Sequence, residues 1–461
     1  MRAHPGPVPP AAGPVARLIV AALLVLVPLV PWRYLPAQAV PQWADTALRH
    51  LGLALCLATV AAFLWPHRRR WQPWLASLPL GLPLLGLLAV AVVSGLGARD
   101  PLASVARGLY GFASGGAVYL ALAGCPGDRR WPRLLIFLCL AAGAAVALAG
   151  VGEYLVGRPL VYATWFDPAN PTYRRLAPDP WFERRIVATI GHPVVVGSYL
   201  ATLLPLALSA LWWAPNRAWR VLAAGTALAL GTGLVLTFSR GAWVATAAGV
   251  AVLAWGLGRR RLLMLGVGVV LLGSVAAAMT GAGSLALARV QAAYRDYGQG
   301  FGATTRGAAY GFVATIAAES PWLGVGPGMY RHAAYDLRRS LEVPTPLGVL
   351  DTPDNMYLNW LAETGVVGLA ASLYVLVALV SALRRRLRQP GDPADQAMAA
   401  GLLAAVVSLA VDMLTVDALH FPVVRLVFWT LAAAVATMPD PGAGDACCHR
   451  PGPQEETSTI S

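Results

Sequence analysis

The chain has no lysine, so its 35 basic residues are all arginine. Charge of either sign is scarce. Only 12% of the 461 residues are charged, where a soluble domain carries about a quarter. Cysteine is rarer still, with five residues. Cys56 and Cys139 lie in apolar runs, Cys125 lies beside one, and Cys447 and Cys448 lie in the tail. None falls in a long polar connection, which excludes a disulfide framework. The tail around Cys447, Cys448 and His449 is rich in Pro and Gly and reads as disordered rather than as a metal site. A nucleic-acid binder would gather its bases on one soluble face. Here they stand between apolar runs instead, and no nucleic-acid partner is expected.

What is abundant is apolar length. The chain is 57% hydrophobic with a mean hydropathy of +0.60. The apolar residues fall in blocks of about 18 to 25, enough to cross a bilayer core as helices. Barrel strands would alternate and give no continuous blocks. The expected fold is an all-α polytopic membrane bundle of about twelve spans. They run near 17–34, 47–65, 75–97, 107–124, 134–156, 191–213, 219–238, 241–257, 262–282, 357–383, 397–417 and 420–438. Arginine clusters follow the even-numbered spans: Arg68 to Arg70, Arg129 with Arg130 and Arg133, Arg217 with Arg220, Arg259 to Arg261, and Arg384 to Arg386 with Arg388. The positive-inside rule assigns those exits, and both termini, to the cytoplasm. The first 16 residues lack a signal-peptide cleavage pattern, and span one reads as an uncleaved anchor.

The chain then divides as follows. A cytoplasmic segment (1–16) precedes a first block of spans (17–156), an outer loop (157–190) and a central block (191–282). A large helical outer loop (283–356), a last block (357–438) and a disordered tail (439–461) complete it. Loops longer than about 15 residues are usually functional or disordered, and these two are aromatic-rich or helically patterned. The second shows helical patterns near Leu285–Tyr297 and Thr305–Glu319, the latter stopped by Pro321. Both carry arginines, among them Arg184, Arg185, Arg306, Arg331 and Arg339. Most suit a solvated surface, but guanidinium groups also pair with phosphate oxygens and stay charged at any relevant pH.

Two stretches are sharper. In LTFSRGAWVA, Arg240 stands between two spans with almost no loop. A charge at the bilayer centre costs about 2.5–3.5 kcal/mol. Either Ser239 and Gly241 make a bare hairpin turn with Arg240 snorkelling to the interface, or Arg240 faces an anionic ligand. In TPDNMYLNWLAETGVVGL, residues 352–369, polar groups head an apolar run. Thr352 and Pro353 signal a helix start, with Asp354 in the first turn. Asn355, Asn359 and Glu363, spaced by four, form one stripe that should face the bundle interior or a wet cavity, and polar glue between helices would also account for the two Asn. The GVVGL that follows allows close packing. By charge bias, Arg184, Arg185 and His192, then Ser239 and Arg240, then Asp354, all fall on the outer face.

Four segments together resemble the O-antigen ligase / O-antigen polymerase superfamily of bacterial envelope glycosyltransferases. They are RRIVATIGHPVVVGSYLATLLPLAL from Arg184, FSRGAW from Phe238, the run from Arg306 through Tyr310 to PWLGVGPGMY, and DNMYLNWLAETGVVGL from Asp354. The resemblance covers roughly 184–369. It implies metal-independent transfer of a glycan from undecaprenyl pyrophosphate at the periplasmic face of the inner membrane, with no cofactor. The acceptor would be a lipid-A-core sugar in a ligase, or a second lipid-linked glycan in an O-antigen or exopolysaccharide polymerase. Carried over by position, Arg184 or Arg185, with Arg240 and Arg306, would grip the pyrophosphate. Asp354 and Asn355 would be catalytic, with His192, Ser239, Tyr357, Asn359, Glu363 and His332 in support. The ligases carry His before the Asn where this chain has Asp354. A carboxylate can serve as the base if burial raises its pKa, and His332 is the alternative. A transporter related to bicarbonate uptake is the competing class, but no two-fold repeat with paired broken helices is visible. GVGPG at Gly324–Gly328 follows no strand and is not read as a nucleotide loop.

Overall fold

The computed structural model describes residues 14–29, 78, 80–123, 130–157, 184–258, 284, 288, 305–341 and 352–438. Among them all regular structure is helical: α1 (Pro14–Leu29), α2 (Gly81–Leu96), α3 (Pro101–Ala123), α4 (Arg130–Val156), α5 (Pro193–Trp213), α6 (Arg217–Leu236), α7 (Arg240–Gly256), α8 (Thr305–Glu319), α9 (Tyr330–Leu341), α10 (Met356–Arg388), α11 (Pro393–Asp412), a 3-10 turn (Ala418–His420) and α12 (Pro422–Thr437). Ten of these coincide with expected spans, and α8 has the expected limits. Five of them, α4, α5, α6, α10 and α11, are long and apolar enough to cross a membrane; α2 and α12 are apolar but shorter. The expected spans 47–65 and 262–282, most of the outer loop 157–190 and the pattern Leu285–Tyr297 lie outside the described residues.

α5 is the central post, buried on nearly every side. It packs against α6, α7 and α11, while α4 packs on α6, and the α2–α3 pair meets α10 and α12. Small residues allow the close approaches. A Cβ on Gly249 of α7 would meet the Ala404 carbonyl and Ser408 of α11 at 2.9 Å. The Ser408 hydroxyl donates to the Ala201 carbonyl of α5 at 2.8 Å. At one end of the bundle Arg133 pairs with Asp395 at 2.9 Å and Arg386 donates to the Met438 carbonyl at 2.9 Å. The opposite end, where α4, α6 and α11 finish and α5, α7, α10 and α12 begin, carries the polar residues singled out above.

α10 is broken. Gly365 has φ 65° and ψ −168°, separating a short N-terminal half from a long C-terminal one. Such a break strands carbonyls on one side and N–H groups on the other, which is costly away from water. The chain's own PWLGVG segment satisfies both sets. Val325 N and Gly326 N donate to the Ala362 and Glu363 carbonyls at 3.0 and 2.8 Å. Val366 N and Val367 N donate to the Pro321 and Trp322 carbonyls at 2.8 and 3.2 Å. Only glycine fits: a Cβ on Gly365 would lie 2.3 Å from the Trp322 carbonyl, and one on Gly324 (φ 65°) 2.5 Å from the Glu363 backbone. The helical turns of α2 and α3 hold the segment from the other side. Ser94 Oγ donates to the Leu323 carbonyl at 2.6 Å, Ser104 Oγ to Pro327 at 3.0 Å, and Arg107 Nη1 to Gly328 at 2.8 Å.

Candidate active site

The start of α10 corrects the sequence expectation. Thr352 does not cap the helix and Asp354 is not in its first turn. Asn355 is the cap, its Oδ1 accepting from Tyr357 N and Leu358 N at 3.0 and 3.2 Å. An asparagine three residues beyond Thr352 offers the orphan N–H groups a side-chain acceptor, and the Thr-Pro signal loses to it. Asp354, just outside the helix, sits at φ 50°, a left-handed conformation that Asp tolerates better than most residues.

The turn after α11 is the hub that gathers polar groups from several elements. Met356 N donates to the Met413 carbonyl at 2.9 Å. The Asn355 amide donates to Leu414 O at 3.0 Å and to the Tyr310 hydroxyl at 3.3 Å. Arg306 Nη2 donates to Thr415 O at 2.9 Å. Gly241, next to Arg240, is pressed so closely on Thr415 that a Cβ there would meet its hydroxyl at 2.0 Å. Tyr357 Oη donates to Ala410 O at 2.7 Å, tying α10 to α11. Thus α7, α8 and α10, distant in sequence, meet on one short turn.

Arg185 lies at the connection between α6 and α7. It is buried, and its Nε donates to the Thr237 carbonyl at 2.9 Å. Glu153 of α4 fixes the segment that carries it, with its Oε2 accepting from Val187 N and Ala188 N at 2.9 and 2.7 Å. Ser239 caps α7 by position, and Arg240 is that helix's first residue. The bare hairpin turn is therefore replaced by a helix start with Phe238 at φ 51°. Arg184 is exposed and lies 6.0 Å from the Tyr154 ring centroid. His192 begins α5 and stacks towards Phe421 with centroids 6.3 Å apart.

On the other flank of Asp354 is a polar network that hydropathy patterning missed. His420 Nδ1 lies 3.0 Å from Asp417 Oδ2, and its Nε2 lies 3.2 Å from the Asn359 amide nitrogen. With the Nδ1 proton given to Asp417, Nε2 accepts from Asn359. Asn359 also bonds Glu363, whose carboxylate takes the backbone N–H groups of Gly328 and Tyr330. Thr352 bonds Asp417 and so links this network to the loop bearing Asp354. The His420 side chain is 41% exposed and that of Asp417 only 7%, an imidazole facing a space with a buried carboxylate behind it. That space is a recess of about 710 Å³ lined by Asn359, Glu363, His420, His332 and a set of arginines. The sequence stripe therefore splits. Asn355 turns to the Met413–Thr415 turn, while Asn359 and Glu363 turn to the recess.

Solvent reaches Asp354, yet protein atoms crowd it on most sides. That partial desolvation pushes its pKa up to about 6, with the Arg306 guanidinium pulling down and the Asp417 carboxylate pushing up. A carboxyl group titrating there is ionised at neutral pH and still basic enough to accept a proton.

Residues 225–373 match the family model described as O-antigen ligase. Over this interval, about a third of the chain, the protein is similar to the O-antigen ligase/polymerase superfamily. The matched interval runs from α6 into α10 and holds Ser239, Arg240, Arg306, Asp354, Asn355 and the glycine segment. Arg185, Asp417 and His420 lie outside it, on elements that pack against it. A search of curated proteins gives no match. The match, with five helices among the described residues long and apolar enough to cross a membrane, points to an O-antigen ligase-like membrane protein.

Proposed function

We propose that this protein transfers a glycan from undecaprenyl pyrophosphate to an acceptor sugar at the periplasmic face of the inner membrane. The observation that carries this reading is the Met413–Thr415 turn, where Arg306, Asn355 and the Arg240–Gly241 corner meet beside Asp354. Charge that builds on a departing pyrophosphate is stabilised by donors fixed in advance. Arg306 and Arg185 are each anchored by a backbone carbonyl, and a guanidinium group carries five N–H donors in a fixed fork. Arg240 stands at the N-terminus of α7, where the helix dipole adds to its charge.

The step is a displacement at the anomeric carbon. The acceptor hydroxyl oxygen forms the new bond to C1 as the bond from C1 to the phosphate oxygen breaks. The electron pair leaves on the lipid pyrophosphate, and the hydroxyl proton passes to the Asp354 carboxylate. The raised pKa of Asp354 supports this role, taken in the ligases by His. Asn355 fixes the backbone that carries Asp354, and Tyr357 and Tyr310 fix Asn355. His332 lines the recess rather than the turn, which favours Asp354 as the base.

The break at Gly365 does not revive the transporter class. Its freed backbone groups are filled by residues 321–326 of the same chain rather than left to coordinate an ion. Reconstitution into proteoliposomes with an undecaprenyl-pyrophosphate glycan and either lipid-A-core or a second lipid-linked glycan tests the proposal. Transfer to one of the two supports it and separates ligase from polymerase. No transfer to either, with the protein folded, rejects it.

A further inference from the structure

The recess floored by His420, Asn359 and Glu363 is walled by Arg99, Arg107, Arg331 and Arg339. These come from the α2–α3 junction, from α3 and from α9. Two acids of the lining oppose them. Asp336 is paired with Arg99 at the rim. Glu363 is occupied at the floor by Asn359 and by backbone N–H groups. Four guanidiniums against two carboxylates leave a positive wall over a floor of hydrogen-bonding groups. The volume, about 710 Å³, falls within the ~300–1,000 Å³ of small-molecule sites. Tyr335 adds an aromatic face, over which Arg331 lies at 5.6 Å from the ring centroid.

We propose that this recess is the acceptor subsite and that it takes a saccharide bearing an anionic group, a phosphate or a uronate carboxylate. The proposal rests on the glycosyl-transfer reading and adds the acceptor's chemical class to it. The donor arginines, Arg185, Arg240 and Arg306, lie on the Thr237 and Thr415 side. The four recess arginines lie beyond the His420–Asp417 pair. Two positively charged regions flanking Asp354 suit two anionic partners: a lipid pyrophosphate on one side and a charged sugar chain on the other. Planar guanidinium groups form paired hydrogen bonds with phosphate and carboxylate alike, while Asn359 and His420 offer donors and acceptors to sugar hydroxyls.

The test is binding, measured on the full chain in nanodiscs of zwitterionic lipid. The probes are singly phosphorylated maltotriose, trigalacturonate, unsubstituted maltotriose and inorganic phosphate. The charged trisaccharides should bind at least about tenfold more tightly than unsubstituted maltotriose. Arg331→Gln with Arg339→Gln should erase that difference, and Arg331→Lys with Arg339→Lys should keep part of it. Arg107 is left intact because it holds Gly328. Undecaprenyl-pyrophosphate glycan binding, measured on the same samples, should be unchanged in the Gln pair, which also reports folding. Equal affinity for charged and unsubstituted trisaccharides, or no effect of the Gln pair, overturns the proposal. So does inorganic phosphate binding as tightly as the phosphorylated sugar. Loss of charged-trisaccharide binding in phosphatidylglycerol nanodiscs would assign the recess to a lipid headgroup and overturn it likewise. Failure of the wild type to bind the lipid-linked donor would sink the transfer reading while leaving the recess result to stand or fall alone.

Discussion

Asp354 differs from an ordinary surface carboxylate in its surroundings. Crowding and the nearby Asp417 hold its pKa up at about 6, against the pull of Arg306. A base works only when deprotonated. Transfer should therefore rise as pH climbs through about 6 and level off above it. Asp417→Asn removes one of the charges that raise the pKa, so the acidic limb of the profile should move to lower pH. A limb that stays in place in Asp417→Asn, or a wild-type profile flat between about pH 5 and 7, would show that Asp354 is not the group being read. The sequence exposed Asp354 because it stands where a local motif puts it. It hid His420 and Asp417 because they stand at the edges of two apolar runs, and hydropathy windows absorb isolated polar residues there. Glu153, which holds the Arg185 segment, was equally hidden inside a span. An intramembrane carboxylate is itself a functional signal, and that rule would have found it.

At the scale of the element, α8 was legible to the residue because a helical pattern and a following proline bound it locally. The break in α10 was not legible. ETGVVGL reads as a continuous apolar run, and the φ of 65° at Gly365 makes sense only beside Trp322, 43 residues earlier in the chain. The same segment explains why GVGPG is rich in glycine without any nucleotide: it lies flat on a helix backbone and completes its hydrogen bonds. Gly365→Ala should therefore destabilise the protein by at least about 1–3 kcal/mol for the backbone conformation alone, with the Trp322 clash added. A fall in thermal midpoint and loss of the recess, read as lost binding of charged trisaccharide, should accompany it. A variant as stable as wild type would mean that the break is not the native conformation of α10.

At the scale of the molecule, apolar block length and arginine placement were enough to draw an all-helical bundle. Ten described helices coincide with expected spans, and the candidate site lies at the end of the bundle opposite Arg133 and Arg386. Reporter fusions at residues 72 and 300 check the sidedness. The first should report the cytoplasm and the second the periplasm, and one shared side would remove the site from the outer face. Block length could not show that α5 is the buried post, since span-like apolarity is the same for a helix in lipid and one in the core. Nor could it bring Arg306, Asn355 and the Arg240–Gly241 corner to one place. That depends on the Met413–Thr415 turn, a contact between elements with no local sequence mark.

The proposed reaction divides its labour between arginines that hold a lipid pyrophosphate and a carboxylate that takes the acceptor's proton. Donor binding and transfer, measured side by side for Arg306→Ala and Asp354→Asn in proteoliposomes, test it most directly. Arg306→Ala should weaken donor binding and lower transfer by about 10²–10³-fold, with Arg306→Lys recovering part of both. Asp354→Asn should bind the donor as wild type does and lose about 10²–10⁴-fold in transfer. Full transfer by Asp354→Asn, or unchanged donor binding and transfer in Arg306→Ala, would contradict it.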